Sequence, residues 1–214
     1  MKTKIVSFKG TWQDIVDGCR ITVAKPPLGK EPSIEFKRSI LLAEHEPIRE
    51  MWIKWKWTSI PYCIAMHWKT HIWPSRVNTS REDRTGIKRS DRRQTDPVDF
   101  EGSMNLQHQI DTMRKRLCGQ ADPQTREYAE DYKMTVYAYE PQASNVMVPN
   151  CIYRCGCPEP QMCELKTWPR FVAWCRSEKN TDPQMLSIQR RYDLYNEWFY
   201  ATRKPEEGIE SGAQ

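Results

Sequence analysis

At 214 residues, 38% of them hydrophobic, the chain has enough apolar mass for one domain with its own core, and enough length that it needs no covalent staples. Its 33 Lys and Arg against 28 Asp and Glu leave a formal charge of +5 dispersed among acids, which permits an anionic ligand without requiring nucleic acid. No stretch approaches the roughly 20 apolar residues of a membrane span, and the opening MKTKIVSFKG lacks the apolar centre of a secretory signal, so a cytoplasmic protein is expected.

Lys4 to Phe8 alternates weakly as a short strand, and Thr11 is placed to cap a helix whose apolar face is Trp12, Ile15, Val16 and Cys19. Residues 26–33, PPLGKEPS, form a loop by their Pro and Gly content, and a helix is expected over Ile34 to Glu44. After the break at His45-Glu46-Pro47, Met51 to Thr58 sets Trp or Ile against Lys with a period of two, the pattern of a half-buried strand. Helical spacing returns from Ile60 to Trp68. Residues 85–101 are polar and turn-rich and are expected as a surface loop.

Met104 to Cys118 carries a helical stripe of Leu106, Ile110, Met113 and Leu117 with basic residues towards its end, where the helix dipole favours them. A further helix spans 122–139, with Asp122 as cap and Pro123 as first residue. Val146 to Tyr153 is expected to be buried. Beyond the segment CGCPEPQMC and a mixed stretch containing Phe171 and Trp174, a last helix is expected over Gln184 to Ala201. The expected organisation is a single domain over residues 1–204, followed by a disordered tail over 205–214.

Eight cysteines in a chain of this size are expected as reduced thiols. Cys151, Cys155, Cys157 and Cys163 follow C-x3-C-x-C-x5-C, which offers thiolates to zinc or an iron-sulfur cluster but matches no standard zinc spacing; buried free cysteine is the plainer alternative, and no metal is assigned. His67 and His71 share a helical face, without the intervening Glu of a zinc protease helix. The glycine-rich dinucleotide fingerprint, the P-loop and the nucleophile elbow are all missing from the sequence, so any nucleotide must be held by side chains. Residues 70–89, THIWPSRVNTSREDRTGIKR, concentrate such groups. Arg76, Arg81 and Arg84 offer planar forks for phosphate oxygens, and Ser75, Asn78, Thr79 and Ser80 offer neutral hydrogen-bonding groups; a solvated polar loop is the alternative on composition alone.

The order of these residues resembles the flavin-dependent thymidylate synthases, whose signature is R-H-R-x-x-S-x-N-E-x-S-x-R; His71, Ser75 and Ser80 stand at its His, first Ser and second Ser. Arg20-Ile21-Thr22-Val23 is similar to that family's R-V-S-F strand, Ala43 to Pro47 to its G-H-x-S-P turn, and Val148 to Tyr153 to its L-P-x-x-x-Y segment. Phe171 with Arg176, then Ile188-Gln189-Arg190, is similar to its closing pattern, so the resemblance runs in order along nearly the whole chain. The departures are equally definite. Thr70 and Ile72 replace both arginines flanking the motif histidine, Asn78 and Glu82 stand where the family has Glu and Arg, His67 takes the place of a substrate-binding Gln, and Asn145 that of a phosphate-binding Arg.

The resemblance implies an α+β fold with a mixed sheet packed against helices, assembled as a homotetramer with sites between subunits. It also implies reductive methylation of dUMP to dTMP, with methylene-tetrahydrofolate as carbon donor, FAD as hydride carrier and NADPH as reductant; the protein stacks and orients while the cofactors do the redox work. The residues it implicates are Ser80 and Arg84 in catalysis, His71, Ser75, Arg76 and Asn78 at the cofactor, and His67, Arg81, Arg154 and Arg176 at the pyrimidine nucleotide. Trp73 is a candidate for ring stacking, and Trp52, Trp55 and Trp57 either meet a partner subunit or face the core. The lost motif residues leave hydroxymethyl transfer to dUMP or dCMP as an alternative, and the arginine-rich residues 76–93 leave a non-catalytic nucleic-acid-binding module as another.

Overall fold

Local signals in the sequence set most of the element boundaries. Thr11 opens the first helix through a capping box: its hydroxyl accepts from the Asp14 N–H at 3.2 Å, and the Asp14 carboxylate accepts from the Thr11 N–H at 2.7 Å. Asp122 caps Pro123 by accepting from the Thr125 N–H at 2.9 Å, as expected for proline at a first helical position. The computed structural model describes residues 2–71 and 74–203, so Trp73 and the expected tail over 205–214 lie outside the described residues.

In chain order the elements are β1 (Thr3–Lys9), α1 (Trp12–Ile21), α2 (Ile34–Ala43), a 3-10 turn (Glu46–Glu50), β2 (Trp52–Pro61), α3 (Tyr62–Lys69), β3 (Ser75–Val77) and α4 (Glu82–Thr85). A second 3-10 turn (Arg89–Asp91), β4 (Pro97–Asn105), α5 (Leu106–Arg116), α6 (Pro123–Tyr139), α7 (Pro141–Asn145) and α8 (Asn150–Tyr153) follow. The described chain closes with α9 (Thr167–Lys179), a third 3-10 turn (Pro183–Met185) and α10 (Ile188–Thr202).

The strands form one four-stranded sheet in the order β1-β2-β4-β3, and every pair is antiparallel. The α+β class holds, but the sheet is not the mixed one expected. Strand β4 falls largely within what reads as a surface loop. Asp99, Glu101 and Gly102 give that stretch its turn-like composition, yet Val98, Phe100, Gly102 and Met104 alternate into the core and decide the matter. At the other end, Asp182 caps the Pro183 turn, and Ser187 accepts from the Arg190 N–H at 3.2 Å, so α10 begins at Ile188 rather than at Gln184.

The two faces of β2 explain its Trp/Lys alternation. Ile53, Trp55 and Trp57 are fully buried within the monomer, which excludes Trp55 and Trp57 from any partner surface; Trp52 is half-buried. The Trp57 ring lies 4.9 Å from Trp68, 5.3 Å from Tyr128 and 5.4 Å from Phe100, and its indole N–H donates to the Thr3 hydroxyl at 2.7 Å. Trp55 lies 4.7 Å from Tyr132 of α6 and crosses β4 at Gly102, where a Cβ would come within 2.6 Å of its ring. Glycine at this point of the strand is therefore a requirement of close approach. On the opposite face Lys54 pairs with Glu101 at 3.0 Å, Lys56 with Asp99 at 3.1 Å and Arg76 with Glu101 at 2.7 Å, a solvated ladder of charge.

Helices α6, α7 and α10 close the other side around a fully buried lysine. The Lys133 Nζ donates to the Ser144 carbonyl at 2.6 Å and to the Asn196 side-chain oxygen at 2.7 Å, and no carboxylate among the described residues pairs with it. Burial therefore holds its pKa well below the ordinary lysine value.

Candidate functional site

The segment after α3 is shaped by pairing at the edge of the sheet. Strand β3 aligns Ser75 with Gly102 and Val77 with Phe100; beyond its end, the Asn78 side-chain oxygen accepts from the Asp99 N–H at 2.5 Å and carries the pairing onward. From the opposite side, residues 94–96 clasp the start of α3, whose Tyr62 N–H donates to the Asp96 carbonyl and whose Cys63 N–H donates to that of Gln94, both at 2.9 Å. Two amides that a helix start leaves without an internal partner are satisfied in this way.

Between these walls lies a cleft of about 240 Å³. Asn78 and Ser80 line it together with Arg89, Arg92 and Arg93, and Tyr62 and Val98 complete its lining beside Gln94 and Asp96. Asp96 is the one acid in the lining, and its carboxylate already accepts from the Arg93 N–H at 3.0 Å. Arg92 donates to the Thr85 hydroxyl at 2.9 Å, while its Nε is buried with no partner. Three arginines and one committed carboxylate therefore border the cleft, and one of those arginines holds a buried donor without a partner among the described residues. The volume suits a phosphate with its sugar and falls short of the roughly 300–1,000 Å³ of sites for larger ligands.

The residues singled out in the sequence divide around this cleft. Asn78 and Ser80 line it, while Ser75 and Arg76 sit on β3, Arg76 turned to the charged outer face. The Arg81 fork is closed on Asp83, at 3.0 and 2.7 Å. Arg84 is exposed on α4, outside the cleft, and has no acidic partner among the described residues. Arg154 donates to Asn150 at 3.2 Å and Arg176 to Asp182 at 2.6 Å; neither lines the cleft. Arg89, Arg92 and Arg93 stand out in the sequence only as part of a basic run, because the turn that brings them to the same cleft as Ser80 leads into β4, which composition disguises.

His67 and His71 lie at the end of α3. The His67 ring shares a hydrogen bond of 2.8 Å with the Thr125 hydroxyl, and its carbonyl accepts from Arg116 at 2.7 Å. His71 is half-buried. Burial holds its pKa below the usual 6.5, and the positive charges of Arg116, Lys115 and His108 push it the same way. Arg116 also has a buried Nε without a partner. Cations thus collect around His71, and no ion pair joins Lys115 or Arg116 to an acid among the described residues.

Among the described residues no group of three or more His, Cys, Asp or Glu side chains is placed to hold a metal ion. The eight cysteines are free, and burial pushes the Cys151 thiol up to about 12 and the Cys175 thiol up to about 11, so both are protonated at neutral pH. No described helix is long and apolar enough to cross a membrane.

No known family's profile matches the sequence, and no curated protein matches it. Solved structures do match. The chain is similar to the UMP/dUMP methylase PolB from Streptomyces cacaoi, bound with 5-Br dUMP, with a TM-score of 0.53 at 10% identity over 67% of this chain and 93% of that one. It is also similar to the flavin-dependent thymidylate synthase ThyX from Helicobacter pylori, complexed with FAD and dUMP, with a TM-score of 0.49 at 8% identity over 63% of this chain and 93% of that one. The fold assignment rests on the first of these: the chain has the α+β fold of a pyrimidine-nucleotide methylase. At 10% identity this match establishes the shared fold alone.

Proposed function

We propose that the protein is an enzyme that transfers a one-carbon unit to C5 of a pyrimidine deoxynucleotide, with reductive methylation of dUMP as the reaction. The observation that carries this reading is the cleft lined jointly by Asn78 and Ser80, from the signature-like segment, and by Arg89, Arg92 and Arg93. In this reading the arginine wall takes the nucleotide phosphate, in place of the motif arginines that Thr70, Ile72 and Asn145 replace. Ser80 and Asn78 orient the sugar by hydrogen bonds, and guanidinium donors at the cleft rim stabilise charge on the carbonyls of the base that extends from it. His71, Lys115 and Arg116 hold the diphosphate of FAD. When bound, the flavin supplies the hydride, with methylene-tetrahydrofolate giving the carbon and NADPH the reducing equivalents. A homotetramer with sites shared between subunits belongs to the same proposal, and light scattering tests it.

The decisive experiment incubates purified protein with dUMP, methylene-tetrahydrofolate, FAD and NADPH and weighs the nucleotide product. A methyl mass increment is expected. A hydroxymethyl increment would move the chain to the alternative reaction, and no modified nucleotide, from protein that stays colourless when mixed with FAD, would remove the reading altogether.

A further inference from the structure

A second cleft, of about 310 Å³, opens on the helical side of the molecule between α6, α9 and α10, and it shares no lining residue with the first. We propose that it is a binding site for a small phosphomonoester carried on a flat ring, distinct from the pyrimidine cleft and independent of that assignment.

The charge in the cleft is unbalanced in a specific way. Arg126, Arg170 and Arg203 line it, with Glu130 as the only acid. Glu130 is shared: Arg203 donates to it at 2.6 Å, and the Arg126 Nε stands 3.8 Å from the same oxygen. Arg170, exposed in the first turn of α9, has no acidic partner among the described residues. Two excess positive charges remain, and the Arg126 side chain keeps only 16% of its exposure, so water screens it weakly. A phosphomonoester at neutral pH carries about −1.5 to −2 charge and three acceptor oxygens, which matches that excess.

The donors are also held in place. The Arg203 guanidinium lies 4.4 Å from the Phe199 ring centre while its fork is tied to Glu130, so its remaining N–H groups have a fixed direction. Tyr195 and Trp198 line the same cleft and are almost wholly buried, giving an aromatic wall beside the cationic one. A carboxylate would leave one positive charge unanswered, and a bare phosphate would leave exposed Leu165 and the small accessible edge of Trp198 without an apolar cover.

The test titrates phenyl phosphate, and inorganic phosphate in parallel, into 15N-labelled protein while following the Trp198 indole resonance, assigned with W198F. The expected result is a saturable shift, tighter for phenyl phosphate than for inorganic phosphate, weakened roughly tenfold or more in R170A through loss of a charged hydrogen bond and retained in R92A. A Trp198 resonance that ignores phenyl phosphate, or an R170A titration that matches wild type, would overturn the proposal. Equal affinity for the two probes would overturn the assignment of the ring.

Discussion

The two long elements that flank the signature-like segment are built on opposite terms. In β2 and β4 each inward residue is fixed by many neighbours at once, as with Trp57 against Trp68, Tyr128 and Phe100. Between them, many side chains of residues 75–93 are held by one or two polar contacts, such as Arg92 to Thr85 or Arg81 to Asp83. Apart from Arg76, which pairs with Glu101 of β4, these arginines form no ion pair with the sheet among the described residues, so stability and ligand affinity reside largely in different side chains. That separation lets a scaffold stay constant while its binding groups move along the chain.

The sharpest way to break the comparison is Trp57→Ala, expected to cost about 3–5 kcal/mol of stability, since an indole is removed from a close-packed aromatic cluster. Chemical denaturation measures it, and a loss below about 1 kcal/mol would mean that the cluster is not the core. Next comes Arg92→Ala, expected to weaken nucleotide binding by about 1.5–3 kcal/mol by calorimetry while the unfolding midpoint barely moves. A variant that unfolds early yet binds dUMP normally would reverse the roles given to the two regions.

A smaller effect is expected from pH. The folded pKa of His71 lies below its unfolded value of 6.5, so the unfolded chain binds the extra proton first. The contribution of His71 to stability is full above pH 6.5 and is lost as pH falls through the folded value; H71Q, which cannot take the proton, is expected to show a flatter profile in that window. The smallest effect is that of Arg84→Ala, expected to change dUMP affinity by no more than about 0.5 kcal/mol, because Arg84 is exposed and lies outside the cleft. A loss of about 1.5 kcal/mol would return Arg84 to the site.

What was legible in the sequence follows the same division. Capping residues such as Thr11 and Asp122 act within one turn, so their helices can be read directly, and the Trp/Lys alternation gave away β2. Strand β4 was hidden because charged Asp99 and Glu101 occupy its outward positions, and their partners, Lys56 and Lys54, lie more than forty residues upstream. The cleft was half legible for that reason. Asn78 and Ser80 belong to a recognisable order of residues, whereas Arg89, Arg92 and Arg93 reach it through a turn anchored by the hidden strand and by the backbone of α3. The cations around His71 come from α5, and no local pattern in the sequence connects the two.

The lysine sealed among α6, α7 and α10 carries a practical corollary. An amine with no solvent contact is one that no reagent can reach, so acylation of Lys133 in a native sample has to wait for those helices to separate. Modification at that one position, read by peptide mass against the exposed lysines, would clock the global opening rate of the molecule with a label already built into its interior.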